Sequence, residues 1–178
     1  MKKAPCLRVR ISEFQVARTP ATLKSHGLGS CVGVAIYDPQ TKIGGLAHVL
    51  LPSSKKLNPN SPSPDTADSP RNPFKFADLA IEEMRDELIR QGCEAGRLIA
   101  KIAGGANMFP NRYNTNPDHV VKPGIGKRNV QAAKGKLKEL GISLAAEDVG
   151  GEHGRTLEFD IETGNLCIST STGDVRII

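Results

Sequence analysis

The stretch from residue 31 to residue 52 reads CVGVAIYDPQTKIGGLAHVLLP, and it decides the fold. Two apolar runs, residues 32–38 and 43–52, are separated by the short link DPQTK, whose proline and polar residues are typical of a turn. Both runs are rich in residues that favour strands, so the pattern predicts an antiparallel hairpin. The hairpin carries a thiol, Cys31, at its start and an imidazole, His48, near its end.

The rest of the chain predicts further strands and two amphipathic helices. Apolar residues recur on one helical face in residues 74–92 and 126–141, and both segments end at a glycine. Short apolar or alternating runs predict the other strands. These runs are residues 6–18, 21–27, 97–106, 142–151, 155–169 and 174–178. Strands joined by short turns, together with two helices, predict an α/β protein with a mixed, largely antiparallel sheet.

Two segments lack the periodicity of packed elements. Residues 52–73 hold six of the twelve prolines, and residues 107–124 are rich in Asn and Pro. A chain of 178 residues suits one domain with a sizeable core. We therefore predict a single domain over residues 1–178, with mobile loops at about 52–73 and 107–124.

Composition argues against several classes of protein. The net charge is +5, from 24 basic and 19 acidic residues, and aromatic residues make up only 4% of the chain. A nucleic-acid-binding surface needs clustered basic residues or aromatic platforms, so we expect no nucleic acid partner. The sequence shows no signal peptide and no apolar run of membrane-spanning length, which predicts a cytoplasmic protein without membrane insertion.

The four cysteines, Cys6, Cys31, Cys93 and Cys167, are scattered and form no CxxC pair. This spacing argues against a disulfide framework and against a zinc site built on close pairs. The glycines before Cys31 loosely match a dinucleotide-binding loop, but the residues after them predict a strand where that loop requires a helix. A nucleophilic role for Cys31 is therefore the alternative to examine.

A nucleophilic cysteine needs a base within reach and backbone N–H groups that can stabilise an oxyanion. His48 lies in an otherwise apolar run on the predicted partner strand, so it needs a polar partner. Either His48 is a core histidine with a satisfied hydrogen bond, or it faces Cys31 across the sheet. Spacing alone leaves both interpretations open. Chemistry therefore favours a Cys–His acyl-transfer site as a hypothesis.

Five blocks of the sequence resemble, in order and spacing, the CheD family of chemotaxis proteins. The blocks are GLGSCVGVAIYDP, GGLAHVLLP, AKIAGGANMF, IGKRNV and ISLAAEDVGGEHGRTLEFDIETG. The likeness runs from about Ser12 to about Leu166, and the Cys-containing and His-containing blocks together make it specific. The resemblance implies a protein-glutamine glutaminase that deamidates glutamines of bacterial chemoreceptors. It also implies a three-layer α/β/β sandwich similar to the catalytic domain of glutamine-deamidating toxins.

The resemblance further implies a Cys–His–Thr triad. The family's cysteine and histidine correspond to Cys31 and His48, whereas its threonine corresponds to Ser25. Serine keeps the hydroxyl but lacks the methyl group that restricts the rotamer of threonine. We expect an accessible Cys31 thiol of low pKa, His48 as general base and acid, and Ser25 as orienting residue. The backbone N–H groups of Gly29, Ser30 and Cys31 are the expected oxyanion donors, and neither metal nor organic cofactor is needed.

The implied partners are the cytoplasmic helices of methyl-accepting chemotaxis receptors, and some CheD proteins also bind the phosphatase CheC. Met108 and Phe109, beside the block AGGAN, are candidates for contacting such a helical partner. Two alternatives stay open. The chain could be a non-catalytic adaptor for a receptor helix or a CheC-like phosphatase, or a Cys–His hydrolase or transglutaminase acting on other acyl groups.

Overall fold

The structure is a computed structural model that describes residues 4–54, 72–108 and 124–178. The strands in these ranges are β1 (Cys6–Arg8), β2 (Phe14–Arg18), β3 (Thr22–Leu28), β4 (Val32–Asp38), β5 (Ile43–Val49), β6 (Ile99–Gly104), β7 (Ser143–Val149), β8 (Arg155–Asp160), β9 (Leu166–Thr170) and β10 (Val175–Ile177). The helices are α1 (Ala77–Arg90) and α2 (Ile125–Glu139), and short 3-10 turns span Pro73–Lys75 and Ala95–Arg97. Most of the two predicted loops lies outside the described residues.

The strands form two five-stranded sheets. The central sheet has the order β2-β5-β4-β6-β7, and the outer sheet has the order β1-β3-β8-β9-β10. The pairings β1–β3 and β6–β7 are parallel, and the others are antiparallel. The predicted hairpin is confirmed as β4–β5, in which Gly33 lies opposite His48.

Two apolar cores separate three layers. Side chains of α1 and α2, among them Met84 and Leu137, pack on one face of the central sheet. The opposite face packs on Leu157, Phe159 and their neighbours in the outer sheet. Every residue of β4 and β5 is buried because the hairpin lies between the other two layers, which explains its continuous apolar sequence. The predicted three-layer α/β/β sandwich is confirmed, with its strands divided between two sheets.

The two helices follow from their apolar periodicity. In α1 the buried residues Ala77, Ala80, Ile81, Met84 and Leu88 recur every three or four positions, and they form one face. Both helices are followed by a glycine of positive φ, Gly92 or Gly141, as expected for a helix end. Of the helices in the described ranges, none is long and apolar enough to span a membrane.

The segment 6–18 differs from its prediction as one strand and its continuation. It forms β1 in the outer sheet and β2 in the central sheet. Ser12 lies between them at a φ of +63°, and Ile11 is 53% exposed. The alternation of apolar residues did not show this change of sheet, because Ile11 continues the pattern but lies in the turn.

Candidate active site

The β4–β5 hairpin sets the positions of the thiol and the imidazole. His48 lies directly opposite Gly33, and directly paired residues share a face of the sheet. That face looks toward the outer sheet, because a Cβ at Gly33 would lie 2.1 Å from Cδ1 of Leu157. Cys31 precedes Gly33 by two residues, so the alternation of β4, continued one residue before its start, puts Cys31 on the same face.

Ser25 of β3 contacts the imidazole from the outer sheet. Its Oγ lies 2.9 Å from Nδ1 of His48 and also donates a hydrogen bond of 2.9 Å to the carbonyl of Val9. A hydroxyl has one proton, so Ser25 accepts a hydrogen bond from Nδ1–H. This network assigns the proton of the neutral ring to Nδ1 and leaves the lone pair on Nε2.

The second ring nitrogen of His48, Nε2, is buried. His48 is completely buried, and within the described residues Nε2 has no hydrogen-bond partner. Burial lowers the pKa of His48 to about 4, because the charged imidazolium loses its hydration. At neutral pH the ring is therefore an uncharged base whose Nε2 can accept a proton.

Cys31 differs from its expected state. The expectation of an accessible thiol of low pKa was wrong, because Cys31 is only 7% exposed and burial raises its pKa. A thiolate in a poorly hydrated position lacks stabilisation by water, and a neutral imidazole adds no positive charge to replace it. The resting site is therefore a neutral thiol and a neutral imidazole.

Backbone hydrogen bonds fix the loop that leads to Cys31. The carbonyl of Gly29 accepts from the N–H of Ala106 at 2.9 Å, and the carbonyl of Cys31 accepts from the N–H of Gly105 at 2.7 Å. In a trans peptide the C=O and the following N–H point in opposite directions. The N–H of Ser30 therefore points away from Ala106 and takes no part in that hydrogen bond.

The glycine pair at the end of β6 permits this close approach. Gly104 has a φ of +118°, and a Cβ there would lie 2.3 Å from the carbonyl oxygen of Cys31. Gly105 has a φ of +68°, where a Cβ would lie 2.4 Å from Cγ2 of Val130. Sequence reasoning predicted these glycines at the end of a strand but not beside Cys31, since that proximity depends on the pairing of β4 with β6.

Sequence reasoning also missed Asn129 of α2. Its side chain is completely buried, and Nδ2 donates to the carbonyls of Ser30 at 2.9 Å and Leu50 at 3.0 Å. Asn129 lies four residues before Ala133, on the apolar face of the predicted helix. A polar residue on that face is the signal that could have identified it.

A cavity of about 540 Å³ borders the loop at Ser30. It is lined by Ser30, by residues 105–108, 124–127 and 130, and by residues 149–151. Met108 is 42% exposed, and a Cβ at Gly29 would lie 3.1 Å from its Cγ, so the methionine lies against the loop. Phe109 lies outside the described residues. No cluster of three potential metal ligands occurs in the part of the chain that the structure describes.

The match to a protein family covers more than half of the chain. A family model described as "CheD chemotactic sensory transduction" matches residues 50–170. The chain belongs to the CheD family. Ser25, Cys31 and His48 precede the matched range, so comparison with whole relatives bears on that part of the chain.

CheD relatives align over nearly the whole length. A protein of Caldanaerobacter subterraneus subsp. tengcongensis named "Probable chemoreceptor glutamine deamidase CheD" is 43% identical over 172 residues, which cover 97% of each chain. A protein of Moorella thermoacetica with the same name is 44% identical over 172 residues, covering 97% of this chain and 95% of the relative. A protein named "Probable chemoreceptor glutamine deamidase CheD 2", from Geobacter metallireducens, is 45% identical over 162 residues, 91% of each chain.

The structure brings together part of the triad implied by the CheD resemblance. Ser25 and His48 are in hydrogen-bond contact, and Cys31 lies two residues before the glycine that pairs with His48. The remaining described histidines, His26 and His153, are exposed. Direct contact therefore identifies Ser25 as a residue beside the imidazole.

Proposed function

We propose that this chain deamidates glutamine side chains of chemoreceptors, with Cys31 as nucleophile, His48 as general base and acid, and Ser25 as orienting residue. The observation that carries the proposal is the 2.9 Å contact of Ser25 Oγ with Nδ1 of His48, which leaves Nε2 as a buried base without a hydrogen-bond partner among the described residues. The names of the aligned relatives supply the substrate class.

Acylation begins with the neutral pair. Nε2 of His48 takes the proton of the Cys31 thiol as the sulfur attacks the carboxamide carbon, so that no free thiolate has to form beforehand. The carbonyl oxygen becomes an oxyanion that the backbone N–H groups of Gly29, Ser30 and Cys31 stabilise. The C–N bond breaks as Nε2–H protonates the departing nitrogen, which releases ammonia and leaves a thioester on Cys31.

Hydrolysis repeats the proton transfers with water as nucleophile. Nε2 of His48 takes a proton from water as the water oxygen attacks the thioester carbon. The C–S bond then breaks, the sulfur recovers its proton from Nε2–H, and the product is a glutamate side chain. The Ser25 hydroxyl accepts from Nδ1–H throughout and stabilises the imidazolium that forms in each half-reaction.

Receptor binding is proposed at the cavity beside Ser30. Met108 is exposed there and lies against Gly29, next to the proposed oxyanion donors. Apolar side chains of this kind anchor helical partners, and Phe109 is the neighbouring candidate. The proposed substrate is a cytoplasmic receptor helix, so the proposal also puts the protein in the cytoplasm.

The proposal is tested by incubating the protein with a receptor cytoplasmic fragment and mapping Gln-to-Glu conversion by peptide mass spectrometry. Ammonia release is measured in parallel, with a primary amine present to detect amide exchange. We expect conversion with stoichiometric ammonia and no incorporated amine, because water is the second nucleophile. Incorporation of the amine in place of hydrolysis would indicate a transglutaminase.

The Cys31→Ala variant separates an enzyme from an adaptor. It removes the nucleophile but little contact surface, so pull-down of the receptor fragment should stay near the wild-type level while conversion is lost. Met108→Ala should weaken pull-down while the reactivity of Cys31 toward a small alkylating agent is unchanged. Receptor binding by the wild type without any conversion would identify the chain as an adaptor.

A further inference from the structure

The Asn129 side chain joins two segments of the proposed site. Nδ2 donates both of its protons, one to the carbonyl of Ser30 at 2.9 Å and one to the carbonyl of Leu50 at 3.0 Å. Both partners are carbonyl oxygens and can only accept, so the amide orientation follows from the contacts. Ser30 precedes Cys31, and Leu50 follows His48 by two residues. One amide therefore links the nucleophile loop to the strand of the base.

The bond to Ser30 acts on the peptide that carries the N–H of Cys31. The carbonyl of Ser30 and the N–H of Cys31 belong to the same planar trans peptide and point in opposite directions. Holding the carbonyl at Asn129 therefore fixes the direction in which the N–H of Cys31 points. The other two carbonyls of the loop, those of Gly29 and Cys31, are held by backbone N–H groups, which no substitution by another non-proline residue removes.

The rest of the Asn129 amide is poorly suited to a packing role. Oδ1 is buried and has no hydrogen-bond partner among the described residues, which carries a desolvation cost. An apolar side chain of similar size would avoid this cost. The two hydrogen bonds donated by Nδ2 are therefore the feature of Asn129 that an apolar side chain could not supply.

We infer that Asn129 is a positioning residue, which directs the N–H of Cys31 toward the oxyanion formed during attack by the thiol. The inference rests on the proposed role of Cys31 as nucleophile. Asn129 does not touch the reacting atoms in this account. It acts through the Ser30–Cys31 peptide, so its loss should slow reactions that form an oxyanion at Cys31 and spare those that do not.

Two small reagents distinguish these reactions at the same sulfur. With p-nitrophenyl acetate, the sulfur attacks the ester carbonyl, an oxyanion forms, and p-nitrophenolate leaves as the acetyl group remains on the thiol. With iodoacetamide, the sulfur displaces iodide from a saturated carbon and no oxyanion forms. The ratio of the acetylation rate to the alkylation rate therefore measures the oxyanion site without a receptor. A Cys6→Ser, Cys167→Ser background removes the more exposed thiols, and Cys31→Ala in that background is the blank.

The test variants are Asn129→Ala, which removes the amide, and Asn129→Leu, which keeps a side chain of similar size. Neither side chain has a hydrogen-bond donor, so both variants lose the same hydrogen bonds. The control is Ala133→Gly, a buried position one turn further along α2 that lowers helix stability without a polar contact. Thermal melts give the folded fraction of each variant, and each rate is divided by that fraction.

We expect both Asn129 variants to lower the acetylation-to-alkylation ratio by about 10-fold or more, since a single oxyanion donor is worth up to ~10³ in rate. Ala133→Gly should leave the ratio unchanged. An unchanged ratio in both Asn129 variants, or a wild-type Cys31 that ester reagents do not acetylate, would overturn the inference. The acetylation rate could also depend on Asn129 although the protein converts no receptor glutamine. That result would support the inference and reject the proposed substrate.

Discussion

The two ends of the β4–β5 hairpin each bury a polar side chain, but in different ways. At the turn, Asp38 is completely buried and accepts hydrogen bonds from Arg97 and from the backbone N–H groups of Gln40, Thr41 and Glu94. Burial alone would raise the pKa of Asp38, but these donors, Arg97 first, lower it to about 2. The carboxylate is paired and satisfied, as is usual for a structural ion pair.

At the open end, His48 is equally buried, but among the described residues only one of its two ring nitrogens has a hydrogen-bond partner. Ser25 occupies Nδ1, and within the described residues Nε2 has no partner. An unpaired buried polar atom costs stability, and such atoms mark sites where function takes precedence over folding. If the proposed mechanism holds, one end of the hairpin is arranged for stability and the other for proton transfer.

The largest effect is expected for His48→Asn. The variant retains a donor for Ser25 but loses the base at Nε2, so conversion of receptor glutamine should fall by about 10³-fold. The melting temperature should fall less than when Asp38 is removed, because among the described residues Nε2 has no hydrogen bond to lose. Rates from peptide mass spectrometry and thermal melts of the same samples measure both quantities. A rate close to that of the wild type would remove His48 from the mechanism.

The opposite outcome is expected for Asp38→Ala. This change removes the acceptor that Arg97 shares with three backbone N–H groups, although Arg97 keeps its ion pair with Glu94. Donors that lose a buried acceptor in this way cost roughly 3 kcal/mol. The melting temperature should fall by roughly 10 °C for a chain of this length. The conversion rate per folded molecule should be unchanged, since Asp38 lies at the far end of the hairpin from Cys31. Lost activity in a fully folded Asp38→Ala sample would contradict the division of roles.

A smaller effect is expected for Ser25→Ala. The hydroxyl orients His48 with one neutral hydrogen bond, whose loss corresponds to roughly 2- to 10-fold in rate. Ser25→Thr keeps the hydroxyl at the family's position and should retain most of the activity. Initial rates on the receptor fragment compare the three proteins. If Ser25→Ala converts at the wild-type rate, Cys31 and His48 act as a dyad.

The smallest effect concerns pH. His48 is protonated in the folded protein only near pH 4, so the neutral base predominates throughout the range from pH 5 to pH 8. Conversion should therefore stay nearly constant over this range and fall as the pH approaches 4. An ordinary histidine would give half-maximal activity near pH 6.5. A profile with its midpoint there would show that His48 is hydrated or paired in solution.

The pH dependence of Cys31 alkylation is a second test of the neutral pair. Because burial raises the pKa of Cys31, its thiolate should form only above the pH range in which an ordinary cysteine ionises. The rate of labelling should therefore rise steeply with increasing pH. Cys6, which is exposed, serves as the internal reference and should label first at neutral pH. Rapid labelling of Cys31 at neutral pH would indicate a thiolate–imidazolium pair instead of the neutral pair.

Local pattern was sufficient to predict the hairpin, both helices and the apolar faces that pack them. The pairing of Gly33 with His48 follows from the turn between the strands, so sequence reasoning could bring Cys31 and His48 to one end of the hairpin. The family resemblance added Ser25, whose contact with His48 joins two sheets. That contact could not be derived from spacing, because it depends on how the sheets stack.

The residues that hold the loop at Cys31 from other elements were not predicted, because their contacts also depend on tertiary packing. Asn129 reaches Ser30 across 99 positions of sequence, and Gly104 reaches Cys31 through the pairing of β6 with β4. The protonation state of Cys31 was predicted wrongly because the pKa of a thiol depends on its burial, which the flanking glycines do not reveal. Local sequence thus indicated the proposed reacting groups, and tertiary packing determined their burial and hydrogen bonds.

The most direct test of the mechanism is to trap the thioester. A receptor peptide that contains a target glutamine is mixed with the protein, quenched in acid at short times and analysed by intact and peptide mass spectrometry. The account predicts an adduct on Cys31 with the mass of the peptide less ammonia, which hydroxylamine removes and which Cys31→Ala does not form. An adduct on another residue, or conversion by Cys31→Ala at the wild-type rate, would contradict the account.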